Sequence, residues 1–158
     1  MKEERNIHEK GFLNSPFLIS SAHNHYDTKP RDMNTTTLPV FRVIIAGTRT
    51  FNDYKTLCKH CDRLLSQKVA THQIVIISGA ARGADRLGER YAQTHGYRLN
   101  RFPADWNRLG NKAGFIRNRQ MADVADALIA FWDGTSNGTK SMIEIARKKG
   151  LAVRIINI

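Results

Sequence analysis

The sequence is short of cysteine and of long apolar runs, and each shortage excludes a class of protein. Cys58 and Cys61 are the only 2 cysteines among 158 residues, which excludes a disulfide framework and a paired zinc-binding motif. Both fall inside one predicted helix, where we expect buried core thiols. No stretch approaches the apolar length of a membrane span, and Phe17-Leu18-Ile19 is too short for a signal peptide. We therefore expect a cytoplasmic protein with no membrane partner.

Two familiar nucleotide-binding motifs are also missing. No Gly-x-Gly-x-x-Gly occurs, so the dinucleotide-binding fingerprint is absent. The segment from Gly134 to Ser141 has the outline of a Walker A loop, but Thr139 stands where the second glycine belongs. His23 and His25 lack the further ligands that a metal would need. The sequence predicts no metal site and no cofactor.

Acidic residues are few, which leaves the chain strongly basic. Lys and Arg number 25 against 14 Asp and Glu, and the formal net charge is +11. Such an excess is typical of proteins that bind polyanions, either nucleic acid or a phosphorylated small molecule. Several cations fall at or just after the predicted carboxyl ends of strands: Arg49, Arg82, Arg117, Arg119 and Lys140. That placement favours an anionic ligand at one edge of a sheet.

The order of apolar segments predicts the fold class. Residues 1–39 lack a periodic apolar face, so we expect a flexible N-terminal arm that folding does not require. Residues 40–158 predict an α/β domain, a three-layer Rossmann-like doubly wound parallel sheet. The polar third strand belongs at an edge, which favours the strand order 3-2-1-4-5. Predicted strands cover 42–46, 73–78, 97–102, 127–131 and 151–156, and predicted helices cover 53–67, 84–95, 113–124 and 139–149.

Small-residue loops follow three of these strands, at the edge where a parallel sheet binds its ligands. In the loop from Ser78 to Asp85, Gly79 and Gly83 allow the backbone to approach a phosphate closely, and Arg82 adds positive charge. Asp85 would cap the next helix or accept a hydrogen bond from a ribose hydroxyl. The other two loops, 47–50 and 132–139, would flank the switch point of the sheet.

The candidate site residues come from these loops and from the helix predicted over 113–124. That helix should turn Ile116, Met121 and Val124 toward the core. Asp133 is either a turn residue or a ligand to ribose, and Trp106 and Trp132 either stack on a base or pack at the rim. The weak catalytic candidates are Arg117, Asp133 and Glu144. The predicted ligand-binding residues are Gly47, Thr48, Arg49, Ser78, Gly79, Arg82, Gly83, Ala84, Asp85, Arg117, Asn118, Asp133, Gly134, Ser136, Gly138 and Thr139.

Four motifs in order make the chain from Phe41 onward resemble the SLOG superfamily, and within it the YspA-type branch. They are the segments 47–49, 78–85, 113–121 and 132–139. The resemblance implies a Rossmann-like fold that binds nucleotides or nucleotide-derived ligands. Relatives of this kind include the LOG phosphoribohydrolases and the DNA-uptake protein DprA.

The LOG enzymes carry a loop of the form Pro-Gly-Gly-x-Gly-Thr-x-x-Glu, which binds phosphate and supplies a catalytic Glu. Gly138 and Thr139 match its Gly-Thr, and Arg117 matches an Arg on the preceding LOG helix. Met142 stands at the position of the Glu, and the Pro-Gly-Gly is absent. The resemblance therefore implies ligand binding, while phosphoribohydrolase activity is not expected.

Three functions remain open from the sequence. The first is binding or sensing of a nucleotide-derived small molecule, and the second is hydrolysis of an N-glycosidic or phosphate bond in such a molecule. The third is binding of nucleic acid, which the charge allows. A homo-oligomer also remains open.

Overall fold

A computed structural model of the chain describes residues 37–158, and these form one five-stranded sheet with helices on both faces. The strands are β1 (Val40–Gly47), β2 (Gln73–Ser78), β3 (Arg98–Arg101), β4 (Ala127–Trp132) and β5 (Ala152–Asn157). The helices are α1 (Tyr54–Leu65), α2 (Ala84–His95), α3 (Trp106–Leu109), α4 (Ala113–Val124) and α5 (Asn137–Lys148), with a 3-10 turn at Gly110–Lys112.

All strand pairs are parallel, and the order is β3-β2-β1-β4-β5, which confirms the predicted topology. The register places Ile44 beside Ile77 and Leu128, so the three central strands end near one another. The polar β3 lies at an edge of the sheet, where a mostly exposed strand is tolerated. Between β1 and β4 the connections change direction, and this switch point forms the natural ligand crevice of the fold.

Alternate residues of the central strands pack into two separate cores. Val43, Ile45 and Ile129 face α1 and α2, while Ile44 and Leu128 face α4 and α5. Because strand side chains alternate between the faces, a strand covered by helices on both faces is apolar throughout. Cys61 is buried in the first core and Cys58 packs half-buried against it, and both are free thiols. The prediction of core thiols is thus confirmed for Cys61 and only partly for Cys58.

Two predictions about the region before β4 were incomplete or wrong. The connection over 103–112 contains the short helix α3. Asp105 caps the start of this helix, since the Asp105 carboxylate accepts a hydrogen bond from the N–H of Arg108 at 3.1 Å. In α4, Val124 is 44% exposed and does not face the core. Val124 is the last residue of this helix, and Arg117, two turns earlier on the same side, is buried at 9% exposure, as is Asn118 at 5%.

The arm predicted over 1–39 lies outside the described residues except for residues 37–39, and it stays a prediction, as does any role for His23 and His25. Within residues 37–158, no helix has both the length and the apolarity that crossing a membrane requires.

Close packing of α2 on β1 depends on Gly88. A Cβ atom there would lie 2.8 Å from Cγ2 and 2.9 Å from Cβ of the fully buried Ile45. Ile45 is β-branched and cannot move aside cheaply. We expect Gly88→Ala to lower the free energy of unfolding by about 1–3 kcal/mol in denaturant titration.

The matched control is Gly138→Ala in the first turn of α5, where a Cβ would meet nothing within 4 Å. That change should leave stability unchanged or raise it by at most about 1 kcal/mol. Equal effects of the two substitutions would contradict the close helix–sheet contact at Gly88.

Candidate functional site

A crevice of about 380 Å³ opens at the carboxyl ends of β1 and β4, where the sequence predicted the ligand site. Five chain segments meet around it: the end of β1 with its loop, the end of β4 with its loop, the loop before α2 with the first turn of that helix, α4, and the first half of α5. The residues that line it are Ala46, Gly47, Thr48, Arg49, Thr50, Ala81, Asp85, Arg117, Asn118, Met121, Asp133, Ser136, Gly138, Thr139 and Met142.

A second depression, of about 480 Å³, adjoins the crevice. The two share Arg49, Ala81 and Arg117, so they are continuous at these residues. The remaining residues of the second depression come from the loop after β2 and from the connection to α4: Gly79, Ala80, Arg82, Pro103, Ala104 and Trp106.

Thr48 joins three of the loops around the crevice. Its N–H donates to the carbonyl of Phe131 at 2.9 Å, and its carbonyl accepts from the N–H of Ala84 at 3.4 Å. Its hydroxyl Oγ1 accepts from the N–H of Asp133 at 3.2 Å. The side chain is buried, so these bonds are shielded from water. Thr48 therefore links the end of β1 to α2 and to the loop after β4, which is a structural role.

Two glycines allow these loops to approach. A side chain on Gly47 would collide with the carbonyl of Phe131, and one on Gly83 would collide with the carbonyl of Thr48. Gly83 also has a φ of 76°, which favours glycine. Both were predicted to bind the ligand, and in the structure Gly47 lines the crevice, whereas Gly83 packs against the β1 loop and does not line it.

A buried ion pair forms part of the crevice wall. The Nη1 atom of Arg117 is 3.9 Å from Oδ2 of Asp85 and donates to the carbonyl of Gly79. A side chain on Gly79 would occupy the space of the guanidinium. Arg117 Nε donates to Asn118 Oδ1 at 3.0 Å. Asn118 Nδ2 in turn donates to the Gly138 carbonyl at 3.3 Å, so a continuous polar chain links the start of α2 to the start of α5.

Burial perturbs both members of the pair. It raises the pKa of Asp85 to about 6, although the Arg117 charge and the backbone N–H groups of Ala81, Gly79 and Gly47 act in the opposite direction. Burial also lowers the pKa of Arg117, against the attraction of Asp85 and with a smaller contribution from Arg49. A buried carboxyl with a raised pKa, lining a crevice, is a typical feature of a functional site.

The loop after β4 presents the start of α5 to the crevice. The Asp133 carboxylate accepts from the N–H groups of Thr135 and Ser136 at 2.9 and 2.8 Å, and these bonds lower its pKa. The Trp132 indole N–H donates to the Ser136 carbonyl at 3.1 Å. These bonds hold the loop so that Gly138 and Thr139 line the crevice, where the first-turn N–H groups of a helix have no partner within the helix.

Several predicted residues lie elsewhere. Ser78 is fully buried, and its hydroxyl donates to Glu89 Oε1 at 2.9 Å, which also accepts from Arg101 Nε at 3.0 Å. Ala84 is a core residue, and Gly134 lines neither depression. Glu144 lines a separate surface depression between α4 and α5. Arg119 lines that same depression, and Lys140 lines neither the crevice nor its neighbour.

The sequence did not identify some residues that line the two depressions. Thr50, Ala81, Met121, Pro103 and Ala104 carry no chemical signature that marks them. Ala80 has a φ of 57°, unusual for a residue with a side chain, and its N–H donates to Ser78 Oγ at 3.0 Å. Among residues 37–158, no three His, Cys, Asp or Glu side chains cluster as a metal site would need.

The raised pKa of Asp85 makes stability depend on pH. The folded protein holds this proton more tightly than the unfolded chain, whose carboxyl has an ordinary pKa of 3.8. Protonated Asp85 therefore adds stability at low pH, and this contribution is lost as the pH rises through about 6. As the pH is raised from 5 to 7.5, the free energy of unfolding of wild type should fall by about 1–1.5 kcal/mol relative to that of Asp85→Asn.

Denaturant titration at several pH values measures this difference. The control is Asp133→Asn, because the pKa of that carboxyl is lowered and its charge is constant over the same range. A difference between wild type and Asp85→Asn that does not change with pH would show that Asp85 titrates normally.

Comparison with known proteins agrees with the resemblance seen in the motifs. The model of the YspA, cpYpsA-related SLOG family matches residues 41–109. The Gene 61 protein of Mycobacterium phage D29 is 34% identical over 118 aligned residues, covering 71% of this chain and 93% of the phage protein. The C-terminal domain of the PF1911 hydrogenase from Pyrococcus furiosus aligns with 81% of this chain and 100% of its own length, at 12% identity and a TM-score of 0.41, which is too low to carry an argument. On the evidence of the family match and the phage relative, the chain belongs to the YspA, cpYpsA-related SLOG family.

Proposed function

We propose that the crevice binds a nucleotide or a nucleotide-derived phosphorylated ligand, with its phosphate at the start of α5. The observation that carries this proposal is that Arg49, Arg117 and the first turn of α5 line one crevice. SLOG domains often bind ligands of this class, and the family membership of the chain supports the same function.

The start of α5 has the physical properties of a phosphate site. The first N–H groups of a helix point out of its end and carry partial positive charge, which attracts anions. Space beside Gly138 is open, since a Cβ there would meet nothing within 4 Å. Asn118 fixes the Gly138 carbonyl from the α4 side, so the turn is held in place before a ligand arrives. Arg49 and Arg117 supply the countercharge.

Another residue of the crevice wall suits the sugar of a nucleotide. Asp85 lines the crevice, and its carboxylate can accept a hydrogen bond from a ribose hydroxyl. Because the pKa of Asp85 is about 6, most molecules carry the ionised, acceptor-only form at neutral pH. The ionised Asp85 carboxylate lies beside Arg117, the cation that we assign to the phosphate, so the sugar and the phosphate would bind next to each other.

We further propose that the site binds its ligand without phosphoribohydrolase turnover. Met142 is 2% exposed and lines the crevice at the position where the LOG enzymes carry their Glu. A thioether cannot stabilise an oxocarbenium-like charge or activate water. Asp133 already accepts two backbone hydrogen bonds, and Glu144 lies outside the crevice.

Removal of one cation tests the binding proposal. We expect Arg49→Ala to weaken the binding of AMP roughly 10- to 100-fold, as for the loss of a charge-assisted hydrogen bond. Arg119→Ala removes the same charge from the separate depression and should change the dissociation constant less than about twofold. Isothermal titration calorimetry of both variants at one salt concentration measures the difference.

Equal weakening by the two substitutions would contradict a defined site and would favour diffuse attraction by the basic surface. Single-stranded DNA is the competing ligand in this assay. If the protein binds nucleic acid instead, an oligonucleotide should bind more tightly than AMP, with a steep dependence on salt.

The proposed site should bind AMP without cleaving it. Incubation of the protein with AMP should release no free adenine above the uncatalysed background, measured by liquid chromatography. Release at rates typical of enzymes, and its loss in Arg117→Ala, would contradict the proposal. Comparison of Asp85→Asn with Asp133→Asn would then identify the carboxylate that replaces the Glu.

A further inference from the structure

We propose that the second depression is a subsite for the base of the ligand, with Trp106 as its stacking surface. This inference rests on the proposed function, because it places the base of the same ligand whose phosphate lies at α5. The class of ligand is therefore a nucleoside phosphate that occupies both depressions, with its planar heterocycle beside Trp106.

Trp106 is exposed, and its position is fixed by its neighbours. Its side chain is 48% exposed, whereas most large apolar residues of the domain are buried. The Asp105 carboxylate caps the short helix α3 that carries it. On the α4 side, a Cβ on Gly114 would lie 3.3 Å from Cη2 of the indole, so the edge of the ring rests against this glycine. An indole that is fixed and partly open to solvent can stack on a base without losing much side-chain freedom.

Arg49 connects the indole to the phosphate site. The Cζ atom of its guanidinium lies 5.8 Å from the centroid of the Trp106 ring, within the range of a cation–π contact. The same residue lines both depressions. A ligand that bridges them would thus place its negative charge on Arg49 and its ring next to the indole.

The remaining walls suit a flat, uncharged group. The methyl groups of Ala80, Ala81 and Ala104 and the ring of Pro103 are small and apolar, and Arg82 adds a cation at this depression. Stacking depends on the π-face that all bases share and reads no particular hydrogen-bonding edge. The presence of a base should therefore change the affinity more than the exchange of one base for another.

The other tryptophan provides the matched control. Trp132 lines neither depression, and its indole N–H donates to the Ser136 carbonyl. The chain has only 2 tryptophans, so the Trp132→Phe variant carries Trp106 as its sole indole fluorophore, and Trp106→Phe carries Trp132 alone.

The experiment compares AMP with ribose 5-phosphate, which has the sugar and phosphate but no base. In wild type, calorimetry should show AMP binding about 5- to 150-fold more tightly than ribose 5-phosphate, the advantage that stacking one base confers. In Trp106→Ala this ratio should fall to nearly 1, while the affinity for ribose 5-phosphate stays unchanged. AMP should quench the indole fluorescence of Trp132→Phe, and ribose 5-phosphate should not.

The base subsite would be overturned if wild type bound the two compounds equally. It would also be overturned if Trp106→Ala, with the melting temperature of wild type, kept the same ratio of affinities for AMP and ribose 5-phosphate. In both cases binding of ribose 5-phosphate would leave the proposed phosphate site intact. Failure of wild type to bind either compound would overturn the proposed function and the base subsite together. Quenching in Trp106→Phe equal to that in Trp132→Phe would also contradict the assignment of the base to Trp106.

Discussion

The buried ion pair of Arg117 and Asp85 determines how α2, α4 and α5 are arranged at the carboxyl-end edge of the sheet. A charged pair taken out of water is costly unless further hydrogen bonds satisfy it, so it does not stabilise a fold as well as apolar packing would. Here the Gly79 carbonyl and the Asn118 side chain accept two further hydrogen bonds from the guanidinium. Position 79, in the loop before α2, is a glycine, and the guanidinium of Arg117 occupies the space that a side chain there would fill. These contacts fix α4 against the start of α2 and, through Asn118, against the start of α5.

That arrangement explains why the crevice can exist before any ligand binds. Thr48, directly after β1, bonds the end of that strand to the end of β4, and the ion pair of Arg117 and Asp85 joins α4 to the start of α2. The first turn of α5 then faces a space whose walls are already fixed. Binding to such a preorganised site loses little conformational freedom, which favours affinity for a small anionic ligand.

Much of the fold could be predicted because its strongest signals are local. β2, α2 and α4 begin and end where the apolar pattern places them, and the polar Arg98–Arg101 strand lies at the edge. Apolar periodicity predicted only part of the inward side of α4, since Met121 is buried in the core as predicted and Val124 is not. Arg117 is buried because its partner is Asp85, 32 positions earlier in the chain, whereas Val124 is exposed as the last residue of α4. Hydrophobicity alone cannot anticipate a buried polar contact between distant segments.

The position of bound phosphate tests the central claim most directly. Two-dimensional ¹H–¹⁵N NMR of the full chain, titrated with AMP, reports on each backbone N–H separately. The account predicts saturable shifts of the Gly138 and Thr139 amide signals at the start of α5, with smaller changes along the exposed end of that helix at Lys148 and Lys149. Shifts spread over the basic surface, with Gly138 and Thr139 unmoved at saturating AMP, would contradict it.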